Sequence, residues 1–325
     1  MKNFEYIRPK SLQEASDYLA SHPGDAIPFA GGTDVLGTLK DRVIAPESLV
    51  NLKDFSELRS VRYSASDGLR IGALVTINEI AAHPDIAAQY PILSQAAREI
   101  ASPQLRNAGT LGGNLCQRPR CWYFRGDFHC LKKGGDMCYA FNGENRRHCI
   151  IGGGPCYIVN PSDTAVALLA LNASVTIHKQ GNTRDIPLRD LYILPREDVT
   201  RETVLKSGEL ITEVQVPPLP ENSNSTYIKI KERSVWDFAL VSVGAVLQSS
   251  NSIIESGRIA FGGVAPKPWE DPELNRQLSG LRIREDNFSK VGDTVMRDAS
   301  PLEQNGYKVH LAKNVVRQVL RDLTG

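Results

Sequence analysis

The chain has 325 residues, 41% of them hydrophobic, and a formal net charge of +1. At roughly 100–200 residues per domain this length suggests two or three domains with ordinary apolar cores. The near-neutral balance gives no reason to expect a nucleic acid or an anionic membrane as partner, and the longest apolar-rich runs, such as Phe238–Leu247, are too short to cross a bilayer.

The first elements read as an α/β unit. Phe4–Ile7 suits a short strand. Ser11-Leu12-Gln13-Glu14 has capping-box form, and Leu12, Ala15 and Leu19 then recur on one helical face until His22-Pro23-Gly24 stops it. Ile27–Ala30 is an apolar strand running into Gly31-Gly32. A second helical stretch follows, then a strand at Leu49–Leu52. A further unit begins near Leu58, with a strand at Leu69–Leu74. Thr76-Ile77-Asn78-Glu79 is another capping box, for a helix ending at His83-Pro84, and Tyr90–Ser102 reads as one amphipathic helix. After a second glycine-rich segment and a cysteine-rich stretch come an apolar helix, Thr164–Leu171, and a hairpin of Val175–His178 with Arg184–Pro187. Pro217–Ser225 is the clearest linker. Beyond it, strand-like runs (Ser225–Ile230, Ala239–Gln248, Ile253–Phe261) precede two helical stretches. The predicted class is α+β, divided as 1–57, 58–220 and 221–325.

Two segments invite a ligand. In Pro28-Phe29-Ala30-Gly31-Gly32-Thr33-Asp34-Val35 a strand feeds two glycines and then a helix. Glycines bring backbone N–H groups close to a ligand, which suits a phosphate or pyrophosphate. Thr33 adds a hydroxyl, and Asp34 is expected to cap the helix rather than face an anion of like charge. Thr110-Leu111-Gly112-Gly113-Asn114 offers the same pairing of small backbone and polar side chain, with two donors and an acceptor on Asn114. Either segment alone is also explained as a tight turn; two in one chain favour a shared ligand. Neither a GxGxxG fingerprint nor a GxxxxGK[ST] loop is present.

All six cysteines lie between Cys116 and Cys156. None forms a CxxC, so spacing alone leaves a metal site and free thiols both open. Three features favour a site. Gly134-Gly135 and Gly152-Gly153-Gly154 permit close backbone wrapping. Trp122, Tyr123, Phe124 and Phe128 can shield a cofactor. The chain's one basic concentration (Arg118, Arg120, Arg125, Lys132, Lys133, Arg146, Arg147) can offset negative charge, or else be a solvated loop surface. His129 reads as a surface histidine, Trp236 and Trp269 as packing residues. No nucleophile–base pair points to hydrolysis, and no catalytic residue is assigned.

Ala30-Gly31-Gly32-Thr33-Asp34 together with Thr110-Leu111-Gly112-Gly113-Asn114 resembles the paired FAD signature of xanthine dehydrogenase and carbon monoxide dehydrogenase flavoprotein subunits. Pro161-Ser162-Asp163 resembles that family's Ser-Asp element, whose acid contacts the flavin. Lys229, Arg233 and Asp237 resemble its Lys-x₃-Arg-x₃-Asp run, whose lysine lies near the isoalloxazine. Gly262-Gly263-Val264-Ala265-Pro266 resembles a C-terminal signature. The resemblance covers nearly the whole chain, in the family's order. It implies a two-part FAD-binding domain of the PCMH/vanillyl-alcohol-oxidase type, followed by a C-terminal α+β domain as in carbon monoxide dehydrogenase flavoproteins. It implies FAD on Pro28, Phe29, Ala30, Gly31, Gly32, Thr33, Asp34, Val35, Thr110, Gly112, Gly113, Asn114, Asp163 and Lys229. Ile211 matches an apolar position packed on the ring, and Arg118 is a candidate to stabilise the reduced ring, or a surface charge.

Partners follow from the same resemblance: a large subunit with molybdenum cofactor, and a small subunit with two [2Fe–2S] clusters that pass electrons to this flavin. The cysteine insert at about 116–156 is absent from typical members. It is similar to the insert of [4Fe–4S]-containing flavoprotein subunits of 4-hydroxybenzoyl-CoA reductases and, more closely, of bacterial periplasmic aldehyde oxidoreductases. The match places Cys121, Cys130, Cys138 and Cys156 on the cluster ligands. Cys116 and Cys149 are extras: Cys116 is expected near the flavin, and Cys149 is an alternative to Cys156. The residues Met1–Ser16 hold no apolar core of secretory length, so a cytoplasmic protein, or one exported with a signal-bearing partner, is expected. A self-sufficient FAD-dependent oxidoreductase of the same fold, and a zinc or disulfide scaffold, are the alternatives.

Overall fold

The computed structural model describes residues 1–325. Three sheets order the chain. The first is parallel, with Ser48–Asn51 between Glu5–Ile7 and Ala26–Phe29. It packs on the helix Leu12–Ser21 through Ala15, Leu19, Ala26 and Val50. The second is antiparallel, in the order Val61–Ser64, Gly68–Gly72, Leu210–Val216, Ser174–Lys179, Asn182–Pro187. The third is also antiparallel: Val241–Ser250 lies between Ser223–Ile230 and Ile253–Gly262, with short strands Trp269–Glu270 and Leu281–Arg282 on the outer side.

Between the second and third sheets lies a helical layer. Helices Pro91–Arg98 and Asp163–Ala170 pack on each other and on the third sheet. Every residue of Asp163–Ala170 is buried, as a helix apolar all round must be. One continuous core joins this layer to the second sheet and takes in Tyr227, Val246 and Ala260 from the third. A second core forms where the long helix Tyr307–Thr324 covers the third sheet. It includes Ile150 and Ile151, so the cysteine insert is rooted in the C-terminal core.

Several local expectations change. Ser11 caps its helix through the Glu14 N–H, but Glu14 returns its carboxylate to the N–H of Lys10, so the box is displaced by one residue. The box at Thr76 and Glu79 is complete. The helix expected over Tyr90–Ser102 covers only Pro91–Arg98. Pro103 holds the residue before it extended, and Ser102 caps the next helix, Pro103–Ala108. The freed loop Glu99–Ser102, with Ala101 at φ 46°, reaches the ligand cleft. The C-terminal region holds three helices rather than two: Pro272–Leu278, Glu285–Thr294 and Tyr307–Thr324.

Candidate functional site

A cleft of about 390 Å³ opens beside the helical layer. Thr33, Asp34, Thr110, Gly113, Asn114, Asp163 and Lys229 all line it, so both glycine-rich segments meet the Ser-Asp element and the lysine there. Pro28, Phe29, Ala30 and Val35 flank it in the strand and helix on either side of the first segment.

The two segments differ in kind. None of the backbone N–H groups of Gly31, Gly32, Thr33 and Asp34 donates to an acceptor within the chain. Gly31 has no room for a side chain, since a Cβ would sit 2.0 Å from the Ala108 carbonyl oxygen. Gly32 takes φ +72°, which favours glycine. The segment therefore presents consecutive unpaired donors on a backbone pressed against its neighbour. In the second segment the N–H groups are already bonded. Leu111 donates to Val75, Gly112 to Ala73 and Asn114 to Thr110, while Gly113 donates to the Thr110 hydroxyl. What it offers is a side chain. Asn114 Oδ1 accepts from both Ser162 Oγ and Thr164 Oγ1, each at 2.6 Å, so its acceptor is occupied and its two Nδ2 donors remain.

Asp163 and Lys229 contact each other. Lys229 Nζ lies 2.8 Å from Asp163 Oδ2 and donates to the Glu99 carbonyl at 3.0 Å, with 1% of its side chain exposed. Tyr227 donates to the other Asp163 oxygen, and burial together with this carboxylate holds the phenol well above its ordinary pKa. The pair is thus a buried strut with one face on the cleft. Opposite it, the loop after strand Ser223–Ile230 brings Arg233, Trp236, Asp237 and Phe238 to the wall. Trp236 is 62% and Phe238 46% exposed. This corrects the reading of Trp236 as a packing residue: an aromatic on a loop, carried at φ 51°, stays in solvent. Asp237 accepts from the N–H groups of Glu232, Arg233 and Phe238, which fixes the loop and holds its carboxyl below the usual range despite burial.

Three expected contacts fail. Asp34 makes no helix cap. Its carboxylate accepts instead from the Arg118 N–H at 2.7 Å and pairs with Arg125 at 2.7 Å and Arg120 at 3.0 Å. The Arg118 guanidinium is bound to Glu202 and the Thr200 carbonyl and lies over the Phe124 ring, so it does not line the cleft. Ile211 sits in the central core, paired with Ile177, away from the cleft. Arg120, which does line it, reads in the sequence as part of the basic concentration and not as a cleft residue.

That concentration is not a set of free countercharges: six of its seven members grip three acids outside the insert, while Lys133 donates to the Gly126 carbonyl. Asp34 takes Arg120 and Arg125, Glu202 takes Arg118 and Lys132, and Glu232 takes Arg146 and Arg147. Lys308 adds a second anchor. It is fully buried and donates to the carbonyls of Arg147, His148 and Gly263 at 2.6–3.0 Å. Asn305 donates to those of Asn145, His148 and Cys149. The Gly262–Pro266 element has a structural task here: Val264 O accepts from Ile150 and Ile151, and Ala265 O from Asn160.

All six thiols are free, and no three His, Cys, Asp or Glu side chains converge as ligands of a single metal ion. The cysteines nevertheless gather. Cys138 and Cys156 are close enough to perturb each other's titration, and Cys121 lies within the electrostatic reach of Cys138 and Cys130. Backbone N–H groups of Tyr123 and Phe124 face Cys121, those of Tyr157, Ala140 and Phe141 face Cys138, and that of Ile158 faces Cys156, each favouring the thiolate. Burial works the other way and pushes Cys121 up to about 11. Cys149 borders the group beside Cys138; burial carries it to about 12. Cys116 stands apart next to Glu202 and lines neither cavity. His148, a residue sequence reasoning passed over, has Nε2 3.2 Å from Cys121 Sγ. Of the four aromatics only Phe124 is fully buried; Trp122 and Phe128 face solvent. A smaller cavity of about 120 Å³ has Cys121 and His148 on its wall and shares Arg120, Pro161, Asp163, Asp237 and Phe238 with the larger cleft.

Residues 2–219 match the FAD binding domain in molybdopterin dehydrogenase, and residues 226–323 the CO dehydrogenase flavoprotein C-terminal domain. The chain therefore belongs to the FAD-binding medium subunits of the molybdenum hydroxylase family, whose members are oxidoreductase subunits. Within it, the chain is 39% identical to the aldehyde oxidoreductase FAD-binding subunit PaoB of Escherichia coli K12, over 99% of this chain and 98% of that protein. It is 28% identical to the glyceraldehyde dehydrogenase medium chain of Sulfolobus acidocaldarius, over 92% and 89%. Among solved structures, carbon monoxide dehydrogenase from Hydrogenophaga pseudoflava superposes with a TM-score of 0.78 at 25% identity, covering 98% of this chain and 96% of that one. No helix is long and apolar enough to cross a membrane.

Proposed function

We propose that this chain is the electron-transfer subunit of a heterotrimeric molybdenum-cofactor oxidoreductase, holding FAD and one [4Fe–4S] cluster. Its partners are a molybdenum-cofactor large subunit and a [2Fe–2S] small subunit, and an external acceptor receives the electrons. Aldehyde oxidation is the favoured overall reaction, on the strength of the two aldehyde-acting relatives.

The carrying observation is the run of unpaired N–H groups at Gly31–Asp34, facing the Asn114 amide donors across one cleft. Such donors fit a pyrophosphate, and the amide fits a ribityl chain or ring oxygen. FAD is taken to lie across residues 1–57 and 58–220. Thr33, Thr110 and Gly113 complete that wall. Lys229, held by Asp163 and Glu99, keeps a fixed positive charge beside the ring, where reduction adds negative charge. Trp236 and Phe238 stand exposed at the wall, placed to cover a bound ligand. Bound FAD supplies the acceptor of electrons, and a cluster supplies a one-electron relay.

Cys121, Cys130, Cys138 and Cys156 would hold that cluster. In a cubane each thiolate binds a different iron, so the sulfurs need not converge on a point, and the N–H groups facing three of them suit thiolate ligands. The anaerobically purified complex is expected to carry one flavin and about four irons per chain beyond those of its [2Fe–2S] subunit. Absence of iron from the separated flavoprotein subunit would reject the cluster; absence of flavin would reject the cleft assignment.

A further inference from the structure

We propose that Arg125, a residue of the cysteine insert, is a positioning residue for FAD. It acts through Asp34, and the inference rests on the cleft assignment above. Asp34 is an awkward group at this place. It belongs to the segment whose free N–H groups receive an anion, yet it carries a negative charge that repels one. It does not discharge that role by capping a helix. The carboxylate is instead turned to the insert, where Arg125 and Arg120 meet one oxygen and the Arg118 N–H meets the other.

Arg125 is the better placed of the two cations. Its side chain is 12% exposed, against 33% for Arg120. Its guanidinium also donates to the carbonyls of Pro119 at 2.8 Å and Arg118 at 3.1 Å, so three contacts fix its plane. One helical turn separates it from Cys121, whose carbonyl accepts the Arg125 N–H at 2.9 Å. The geometry thus connects Cys121, Arg125, Asp34 and the donor segment in one chain of contacts. Arg125 both cancels the charge of Asp34 and fixes the loop that carries it. Arg125, Arg120 and the Arg118 N–H all belong to the insert, so flavin retention is here a property of the insert as well as of the flavin domain.

The test uses the assembled complex, stripped of flavin and titrated with FAD. Arg125→Gln is expected to raise the FAD dissociation constant at least about tenfold. Arg125→Lys keeps the charge but not the three guanidinium contacts, and is expected to lose less affinity than Arg125→Gln. Iron content should be the same in all three proteins. In an Asp34→Asn background, which has no charge to cancel, Arg125→Gln should change FAD affinity less than about threefold. The proposal is overturned if the Gln and Lys variants bind FAD alike, or if Arg125→Gln loses the same factor in both backgrounds. Should Arg125→Gln alone fail to assemble, the Asp34→Asn pair and the Lys variant still decide. A wild-type complex that takes up no FAD would instead reject the cleft assignment itself.

Discussion

Replacing Lys229 by methionine keeps most of the side-chain volume and removes the ammonium from a site where 1% of it is exposed. Two bonds go with it, to Asp163 Oδ2 at 2.8 Å and to the Glu99 carbonyl at 3.0 Å. Asp163 is left buried, with Tyr227 as its remaining side-chain donor. Deleting one member of a buried ion pair costs about 3–5 kcal/mol, because the other charge stays desolvated and unbalanced. Lys229→Met should therefore cost about that much in urea unfolding, read as a lower midpoint at unchanged slope. Asp163→Asn removes the stranded charge, so the double variant should lose at least about 2 kcal/mol less than the sum of the singles. Additive losses, or a Lys229→Met cost below about 1 kcal/mol, would show that the two groups do not form a strut and that Lys229 serves the ligand alone.

If the proposed cluster is held as described, Cys121→Ser and Cys138→Ser should each abolish its iron, while Cys116→Ser, next to Glu202 and apart from the group, should keep it; iron assay per chain separates them. Gly31→Ala places a methyl 2.0 Å from the Ala108 carbonyl oxygen and should release FAD on gel filtration, whereas retention at wild-type level would mean the two segments can part without cost. Lys308→Met strands the Arg147 and Gly263 carbonyls, at about 1–3 kcal/mol each, while Asn305 still serves that of His148, and should lower both the melting temperature and iron uptake.

Elements with strong local causes were legible in the sequence. The capping residues Thr76 and Glu79 act on neighbours three residues away, and the hairpin read around Gly181-Asn182 closes one residue earlier, over Gln180-Gly181. What could not be read was set by partners distant in sequence. Asp34 looks like a helix cap from its neighbours, and only folding brings Arg118, Arg120 and Arg125 to it. Arg118 looked free because Glu202 stands more than eighty residues away. The two glycine pairs looked alike because a sequence shows glycines and not the fate of their N–H groups. Gly112 gives its N–H to Ala73, and Gly31 keeps its own. Trp236 was judged by residue type, and the loop that exposes it follows from three N–H bonds to Asp237.

The insert's charges decide how the cysteine region relates to the cleft. If its cations served only to balance a cluster, they would face the sulfurs and leave their acids elsewhere. Instead each acid they hold belongs to a different part of the protein: Asp34 to the first glycine segment, Glu202 to the stretch before strand Leu210–Val216, Glu232 to the loop bearing Trp236 and Phe238. Two of those three parts form the walls of the cleft. Surface pairs such as Arg146 and Arg147 with Glu232 contribute little, at about 0–1 kcal/mol. Lys132 with Glu202 and Arg125 with Asp34 are mostly removed from water, so breaking either leaves a poorly solvated charge. An insert folded around its cysteines therefore sets the Asp34 wall of the cleft in place and touches the Trp236 loop only through the weak surface pairs at Glu232. The cysteine region is better understood as part of the cleft's framework than as an appendage to it.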